Sequence, residues 1–504
     1  MLKNDKSIGF HISLSDYLLI FIFIVLSLAI FLKSYYNTDG YLSPDSTNYL
    51  RLAQNIIEGN GFEVGAYYHI DKSREYFAIW PVGYPVLIFF TAKITGLSVF
   101  WASKLLNILI IGLILITFRI LFKEKSWIYA LILFMASFQH IFTFTWSEAP
   151  FILFLFWFAI ALFYFITKSE IHPKLNIAIA FLSLSLFLLR YIGFFSFLVL
   201  GLMGVIFLFI NKRKAFILIG ISLVNILLAE LYLYNNYIKT DFLTGAKRVW
   251  ATESSLEKIS MISKGIIQEF LIPFTDLTLK TSFFLLFEIL ILFILIHFTD
   301  KKKILSKIKT NENSFKFILL FLFIGISYWI SLIFLRWRFY FDDLDYRLLG
   351  PGTFIFWIII IYVLLNYTSK KVRKIFIISL ILLSLVSFTY NTLYILHLDV
   401  SKNKPYNSNI ARLTKKYKTL PKASAVIFGN KHIIYIRTDI IDVQPYHFKD
   451  SIKLNDLIKK LNKFNNIYME IPKDKRTIDD IKQLDPSVFS FIEQNKKREI
   501  VKIK

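Results

Sequence analysis

Long apolar runs recur along most of the chain, and short polar segments separate them. Each run has about 16 to 22 residues, the length that a helix needs to cross the hydrocarbon core of a bilayer. The pattern predicts about eleven membrane-spanning helices, near residues 17–32, 100–122, 127–145, 151–166, 175–189, 193–210, 215–234, 282–298, 316–335, 352–367 and 375–396. The apolar stretch 82–96 is shorter, and we expect an interfacial or re-entrant helix there.

Three polar segments are too long to be simple connections: residues 33–99, residues 235–281 and the chain from residue 398 onward. Long ordered loops are usually functional. Residues 398–504 alternate Lys-rich helical stretches with β-like runs, which predicts a small α/β domain after a membrane domain over 1–397. Its helices are predicted at 408–419 and 450–463, and its strands at 424–429, 432–437 and 465–471.

Composition and charge agree with an integral protein of an inner or plasma membrane. The 504 residues are 56% hydrophobic, with a mean hydropathy of +0.56. Basic segments that flank the spans on one side explain the net charge of +24, so nucleic acid is not an expected partner. If that side is cytoplasmic, the N-terminus lies inside, and the three long polar segments lie outside. The chain has no cysteine, which excludes disulfides, thiolate metal sites and cysteine nucleophiles.

The stretch "SPDSTNYLRLAQNIIEGNGF" (43–62) predicts a well-capped helix just after the first span. Ser43 can cap it, Pro44 suits its first position, and Asp45 falls in its first turn. Apolar positions recur at helical spacing on one face and polar positions on the other, so the helix is expected to lie along a membrane surface. Asp45 either stabilises the helix dipole or has a catalytic role, and the local pattern leaves both open.

Several stretches together resemble the GT-C glycosyltransferases, in particular the polyprenyl-phosphate-sugar-dependent branch. That branch includes protein mannosyltransferases and the lipid A aminoarabinose transferase. The stretches occur in order over about residues 17 to 470, and they are 43–62, "WPVGYPVLIFF" (80–90), "SEAPFILF" (147–154), "LLRYIGF" (188–194) and "DYRLLGP" (345–351).

The resemblance implies a glycosyltransferase that takes a hexosyl or pentosyl group from a polyprenyl-phosphate carrier. It passes the sugar to a lipid, glycan or protein acceptor on the extracytoplasmic face, with inversion of the anomeric centre. The catalytic carboxylate of the first outside loop corresponds to Asp45, which would act as general base. The family pattern often has a second acid directly after it. Ser46 stands there, which speaks against a paired-carboxylate or metal-bridging role at this position.

A lipid-phosphate leaving group calls for cations, and the outside face offers several. Arg190 lies between two apolar runs, with snorkelling to the interface as the alternative. Arg347 is a candidate phosphate ligand, with a salt bridge to a nearby Asp as the alternative. Arg336 is expected to anchor the membrane interface. Further candidates for substrate or phosphate binding are Lys247, Arg248, Lys72 and Arg74.

Two more residues complete the predicted site. Glu148 is either a capping residue near a helix start or a second catalytic acid, which the family carries at this place. Tyr84 is expected at the interface or stacked on a sugar. No cofactor is certain, a divalent metal is possible, and its ligands are unknown.

Three other functions would need different sequence features. A flippase or transporter of lipid-linked saccharides would need charges deep within several spans and broken helices. A membrane polysaccharide polymerase would transfer sugars without this early acidic loop. A structural anchor for the α/β domain would not need so many spans. The sugar and the acceptor are not readable from the residues.

Overall fold

The computed structural model describes residues 13–65, 74–170, 172–276, 278–297, 301–443, 453–473 and 475–504. Helices account for most of this part of the chain. Those before residue 245 are α1 (Leu14–Tyr36), α2 (Pro44–Ile57), α3 (Gly83–Thr95), α4 (Val99–Phe122), α5 (Ser126–Ala130), α6 (Ala136–Thr143), α7 (Glu148–Thr167), α8 (Pro173–Leu189), α9 (Phe195–Leu208) and α10 (Lys212–Thr240). Those between 245 and 405 are α11 (Ser255–Glu269), α12 (Leu279–His297), α13 (Lys301–Thr310), α14 (Glu312–Arg338), α15 (Tyr346–Tyr367), α16 (Lys370–Phe388) and α17 (Ile395–Lys402).

Eight helical segments among the described residues are long and apolar enough to cross a membrane. Three shorter apolar helices, at Gly83–Thr95, Pro173–Leu189 and Thr281–His297, accompany them. The chain is therefore an integral membrane protein of predominantly helical fold, and the number of eleven crossings stays a prediction.

The span predicted at 127–145 is not one helix. It is divided into α5, a 3-10 turn at Leu131–Phe134 and α6. Polar side chains of α4 stabilise the end of α6: Lys104 donates to the carbonyl of Thr143 at 2.8 Å, and Asn107 donates to Phe142 and Phe144 at 2.9 and 2.7 Å. Backbone groups freed by a break in an apolar environment need such internal partners.

Other parts of the protein cover helix α2 on both its apolar and its polar face. Tyr49, Leu52 and Ala53 are buried as the apolar pattern predicts. On the predicted polar face, Arg51 and Asn55 are buried too. The Asn55 amide donates to the carbonyls of residues 61 and 63 at 3.0 and 2.6 Å. Helix α2 is therefore held between the helical bundle and the C-terminal region, and its position along a membrane surface stays a prediction.

The C-terminal region carries a small sheet with helices around it. Its strands β3 (Ala425–Ile427), β4 (Ile441–Val443), β5 (Ile467–Glu470) and β6 (Ile500–Lys502) lie in the order β4-β3-β5-β6. The β3 strand runs parallel to β4 and β5, and β6 is antiparallel to β5. The helices are α18 (Tyr406–Lys418), α19 (Ile433–Ile436), α20 (Leu454–Lys460), α21 (Lys475–Leu484) and α22 (Pro486–Asn495). A short hairpin, β1 (Glu63–Gly65) with β2 (Arg74–Tyr76), follows α2.

The strand predicted at 432–437 is wrong, since these residues form α19, which packs against α2. Two contacts tie this part to the bundle. Tyr406 stacks on Phe100 with ring centroids 3.6 Å apart, and Lys431 pairs with Asp39 at 2.8 Å. The C-terminal region thus holds the helix whose first turn carries Asp45.

Candidate active site

The N-terminus of α2 fixes the position of Asp45. Ser43 and Ser46 form a reciprocal capping box, with the Ser46 amide donating to the Ser43 hydroxyl at 3.3 Å and the Ser43 amide to the Ser46 hydroxyl at 3.1 Å. Trp146 donates from its indole nitrogen to the Ser43 hydroxyl at 2.9 Å. Ser46 is completely buried. It therefore serves the helix cap.

Arg347 lies among three carboxylates. Its guanidinium donates to Asp45, its Nε donates to Glu148 Oε1 at 2.7 Å, and its Nη1 lies 3.5 Å from Asp342 Oδ2. The guanidinium also lies over the Trp146 ring, 4.7 Å from its centroid. A salt bridge to a nearby Asp is the alternative predicted for Arg347, and the structure shows one to Asp342 together with two further ion pairs.

Asp345 positions Arg347 by capping α15. Its carboxylate accepts from the amides of Arg347 and Leu348 at 3.0 and 3.3 Å. Burial raises the pKa of this carboxyl to about 6. The residue that caps α15 is therefore an acid whose charge changes at about pH 6.

Glu148 is the first residue of α7 and has a side-chain exposure of 0%. It accepts from the guanidinium groups of Arg190 and Arg347, and Ser147 donates to it at 3.4 Å. Ser147 also lies 3.3 Å from the hydroxyl of Tyr49 on α2, and burial raises the pKa of that phenol. Glu148 thus connects two arginines that come from distant parts of the chain.

Arg190 is placed by a tight turn between α8 and α9. It caps α8 in an extended conformation, and its carbonyl accepts from the amide of Gly193 at 2.7 Å. A Cβ on Gly193 would lie 2.2 Å from the backbone of Leu186. Only glycine fits so close to this backbone. The side chain of Arg190, at the start of this turn, reaches Glu148.

These charged groups form one wall of a cavity of about 810 Å³. Asp45, Arg190 and Arg347 line it, and so do Lys247 and Arg248 from the loop after α10. The rest of the wall is largely apolar and aromatic, and includes Trp80, Leu189, Tyr191, Ile192, Tyr237, Phe242, Leu332, Leu335 and Phe339. The cavity therefore offers a charged end and an apolar flank to the same occupant.

A short ribbon connects the two loops that border the cavity. The amide of Tyr340 donates to the Val249 carbonyl at 2.8 Å, and that of Ala251 to Arg338 at 3.1 Å. Arg336 is buried beneath the ribbon and pairs with Glu253 at 2.6 Å. Arg336 thus connects the segment after the Lys247 loop to the segment that carries Arg347, and its position at the membrane interface stays a prediction.

Tyr84 is the remaining predicted residue whose side chain the structure describes. Tyr84 is completely buried behind Tyr49, with ring centroids 5.3 Å apart, and its hydroxyl donates to Asn107 at 3.4 Å. The backbone of Arg74 pairs with Gly65 in the hairpin. Lys72 lies outside the described residues. The roles proposed for these three in substrate binding stay predictions.

Several residues at the site were not predicted from the sequence. They are Tyr49 on α2, Ser147 before α7, Asp241 at the end of α10 and Asp342 before α15, and all four line the cavity. The sequence offered one signal for Ser147 and Asp342, which lie close along the chain to the charged candidates Glu148 and Arg347. The contacts that bring these residues into one site join positions far apart in sequence.

Comparison with solved structures identifies the fold. ArnT from Cupriavidus metallidurans bound to undecaprenyl phosphate superposes with a TM-score of 0.54 at 10% identity, covering 94% of this chain and 95% of ArnT. AglB from Archaeoglobus fulgidus, in complex with an inhibitory peptide and a dolichol-phosphate, gives 0.52 at 11% identity over 95% of this chain and 72% of AglB. The oligosaccharyltransferase of Archaeoglobus fulgidus in complex with Zn and sulfate gives 0.51 at 12% identity over 94% and 70%.

The chain has the GT-C fold. ArnT, a lipid A aminoarabinose transferase, and AglB both belong to the GT-C superfamily. The resemblance inferred from the sequence stretches is therefore confirmed at the level of the fold. No protein-family profile and no curated protein sequence matches this chain.

Proposed function

We propose that the chain is an integral-membrane glycosyltransferase that moves a sugar from a polyprenyl-phosphate carrier to an acceptor on the extracytoplasmic face. The observation that carries the proposal is the cavity wall, where a helix-terminal carboxylate, Asp45, lies beside Arg190 and Arg347 and opposite an apolar flank. A lipid-borne phosphosugar has the same two parts, an anionic head and a hydrocarbon chain. The lipid phosphates bound by ArnT and AglB support this choice of donor.

The proposed reaction is an inverting displacement. Asp45 takes the proton of an acceptor hydroxyl, and the hydroxyl oxygen forms a bond to the anomeric carbon. The bond between that carbon and the phosphate oxygen breaks on the opposite face, and polyprenyl phosphate leaves with the bonding electrons. Lys247 and Arg248, together with the cavity side of Arg190, neutralise the phosphate charge. Glu148 orients Arg190 and Arg347 and does not touch the reacting atoms.

The proposed orientation puts the N-terminus in the cytoplasm and the C-terminal region outside. Because the chain has no cysteine, single introduced cysteines report the side without background. Lys418→Cys, exposed on α18, is expected to react with a membrane-impermeant maleimide in intact cells. Lys371→Cys, exposed at the start of α16, is expected to react only after permeabilisation. The reverse pattern would place the cavity on the cytoplasmic side and contradict the proposal.

The enzymatic proposal is tested by sugar transfer from a labelled polyprenyl-phosphate donor pool in membranes at matched protein level. We expect turnover with the wild type and a loss of several orders of magnitude with Asp45→Asn. Glu63→Gln, an exposed carboxylate of the same outside segment, serves as the control and is expected to keep wild-type turnover. Equal turnover in wild type and Asp45→Asn would rule out Asp45 as the base. Donor movement across the membrane without transfer would favour a flippase.

A further inference from the structure

The two carboxylates of the GT-C site, Asp45 and Glu148, face one another across a guanidinium group. Arg347 reaches Asp45 through Nη2 and Glu148 Oε1 through Nε. The same Glu148 oxygen also accepts from Arg190. The side chains of Glu148, Arg190 and Arg347 are 0%, 15% and 13% exposed, so these ion pairs are shielded from water. Two fixed positive charges therefore lie where carboxylate oxygens converge.

This donor set does not fit a divalent cation. Hard cations bind through several oxygen ligands, chiefly carboxylates and carbonyls. Here the converging oxygens of Asp45 and Glu148 are already taken by N–H donors, and a cation between them would lie against two guanidinium groups. Within the described part of the chain, no group of three or more His, Asp or Glu residues is arranged to hold a metal ion. The position after Asp45 is Ser46, which serves the helix cap.

We infer that Arg347 takes the place that a divalent cation would have between Asp45 and Glu148, and that the site works without such a metal. Its planar guanidinium, which carries a permanent charge, can join two carboxylates through separate nitrogens, as observed here. Arg347 is then a positioning residue that orients Asp45 towards the cavity. Phosphate binding is left to Lys247, Arg248 and Arg190. The catalytic part of this inference rests on the proposed glycosyltransferase function.

The first test measures metal binding and needs no activity. The purified full-length chain is titrated with Mn²⁺, and free Mn²⁺ is followed by electron paramagnetic resonance, with the unfolding temperature recorded alongside. We expect no Asp45-dependent binding by the wild type. Arg347→Ala leaves two facing carboxylates and is expected to gain Mn²⁺ binding and a Mn²⁺-dependent rise in unfolding temperature. Adding Asp45→Asn to it is expected to abolish both gains.

Two further variants keep this test decisive. Arg347→Lys retains one positive charge and is expected to exclude Mn²⁺ as the wild type does. Arg347→Gln replaces the alanine variant if that one fails to fold. Binding of Mn²⁺ by the wild type that Asp45→Asn removes would overturn the inference. So would the absence of any gain in the folded alanine or glutamine variant.

The second test measures sugar transfer. Wild-type turnover is expected to be unchanged by EDTA and by added Mn²⁺. Arg347→Ala is expected to lose turnover and to regain part of it with Mn²⁺, which a merely structural role of Arg347 would not produce. Wild-type turnover that is lost in EDTA and restored by Mn²⁺ would overturn the inference. If no donor is turned over by the wild type, the proposed function fails, and the binding test alone decides the place of Arg347.

Discussion

Glu148 offers a quantitative test of the charge network, because one substitution removes the shared, buried partner of two largely buried arginines. Glu148→Gln keeps the size of the side chain and removes its charge. Arg347 retains Asp45 and Asp342, whereas Arg190 keeps no other ion pair among the described residues. Breaking a buried ion pair by removing one partner costs about 3–5 kcal/mol, because a charge is left buried without compensation. We therefore expect a loss in this range, mainly from Arg190.

The assay is thermal unfolding of the detergent-purified chain, followed by tryptophan fluorescence. Trp146, which lies under Arg347, is one of the nine tryptophans that contribute to this signal. The matched control is Glu124→Gln, which removes a pair with Arg119 in which the glutamate is 64% exposed. Such a surface pair contributes at most about 1 kcal/mol, so the control is expected to unfold near the wild-type temperature.

A double variant separates charge from packing. In Glu148→Gln with Arg190→Met, the uncompensated cation is gone, so we expect part of the stability lost in the single variant to return. The reasoning would be refuted if Glu148→Gln unfolded as close to the wild type as Glu124→Gln does. It would also be refuted if the stability lost by the double variant equalled the sum of the losses in the two single variants.

Three further predictions test the surroundings of the site. Burial raises the pKa of Asp345 from its ordinary 3.8 to about 6, so between these values the folded chain keeps a proton that the unfolded chain has released. The free energy of unfolding should therefore fall as the pH rises from about 4 to about 6. The Asp345→Asn variant keeps the helix cap, and its unfolding should depend less on pH in this range. Gly193→Ala should lower the yield of folded protein, measured by size-exclusion chromatography, because the added Cβ meets backbone at 2.2 Å. Tyr406→Ala removes the stacking on Phe100 and should speed tryptic cleavage at the exposed Lys402, measured by mass spectrometry of the fragments.

Local features of the sequence predicted local structure well. The capping residue Ser43, the proline after it and the glycines that follow α2 are short-range signals, and the helix Pro44–Ile57 begins and ends where they indicate. The strands at 424–429 and 465–471 were predicted from apolar runs in the same way. The run at 432–437 has a similar composition but forms α19, because packing against α2 outweighs β propensity.

Contacts between distant segments were beyond this kind of prediction. Asp45 and Arg347 are 302 residues apart, and the sequence indicated only that both belong to the same side of the membrane. The burial of Arg51 was likewise missed, since helical periodicity shows which residues share a face but not what covers that face. The partner of α2 is the C-terminal region, whose position depends on the whole bundle.

In the proposed site, different residues hold the carboxylate of Asp45 in place and attract the phosphate of the donor. A single bound cation would otherwise do both. The charges of Asp45 and Glu148 are balanced by those of Arg190 and Arg347, so these four groups, the core of the ion-pair network, carry no net charge. A neutral core can hold a carboxylate in place, but it adds little attraction for a phosphate. In the proposed reaction that attraction comes mainly from Lys247 and Arg248, which line the same cavity from a different segment, and the cavity side of Arg190 adds to it. Changing the core should therefore affect turnover, whereas changing the loop should affect donor binding.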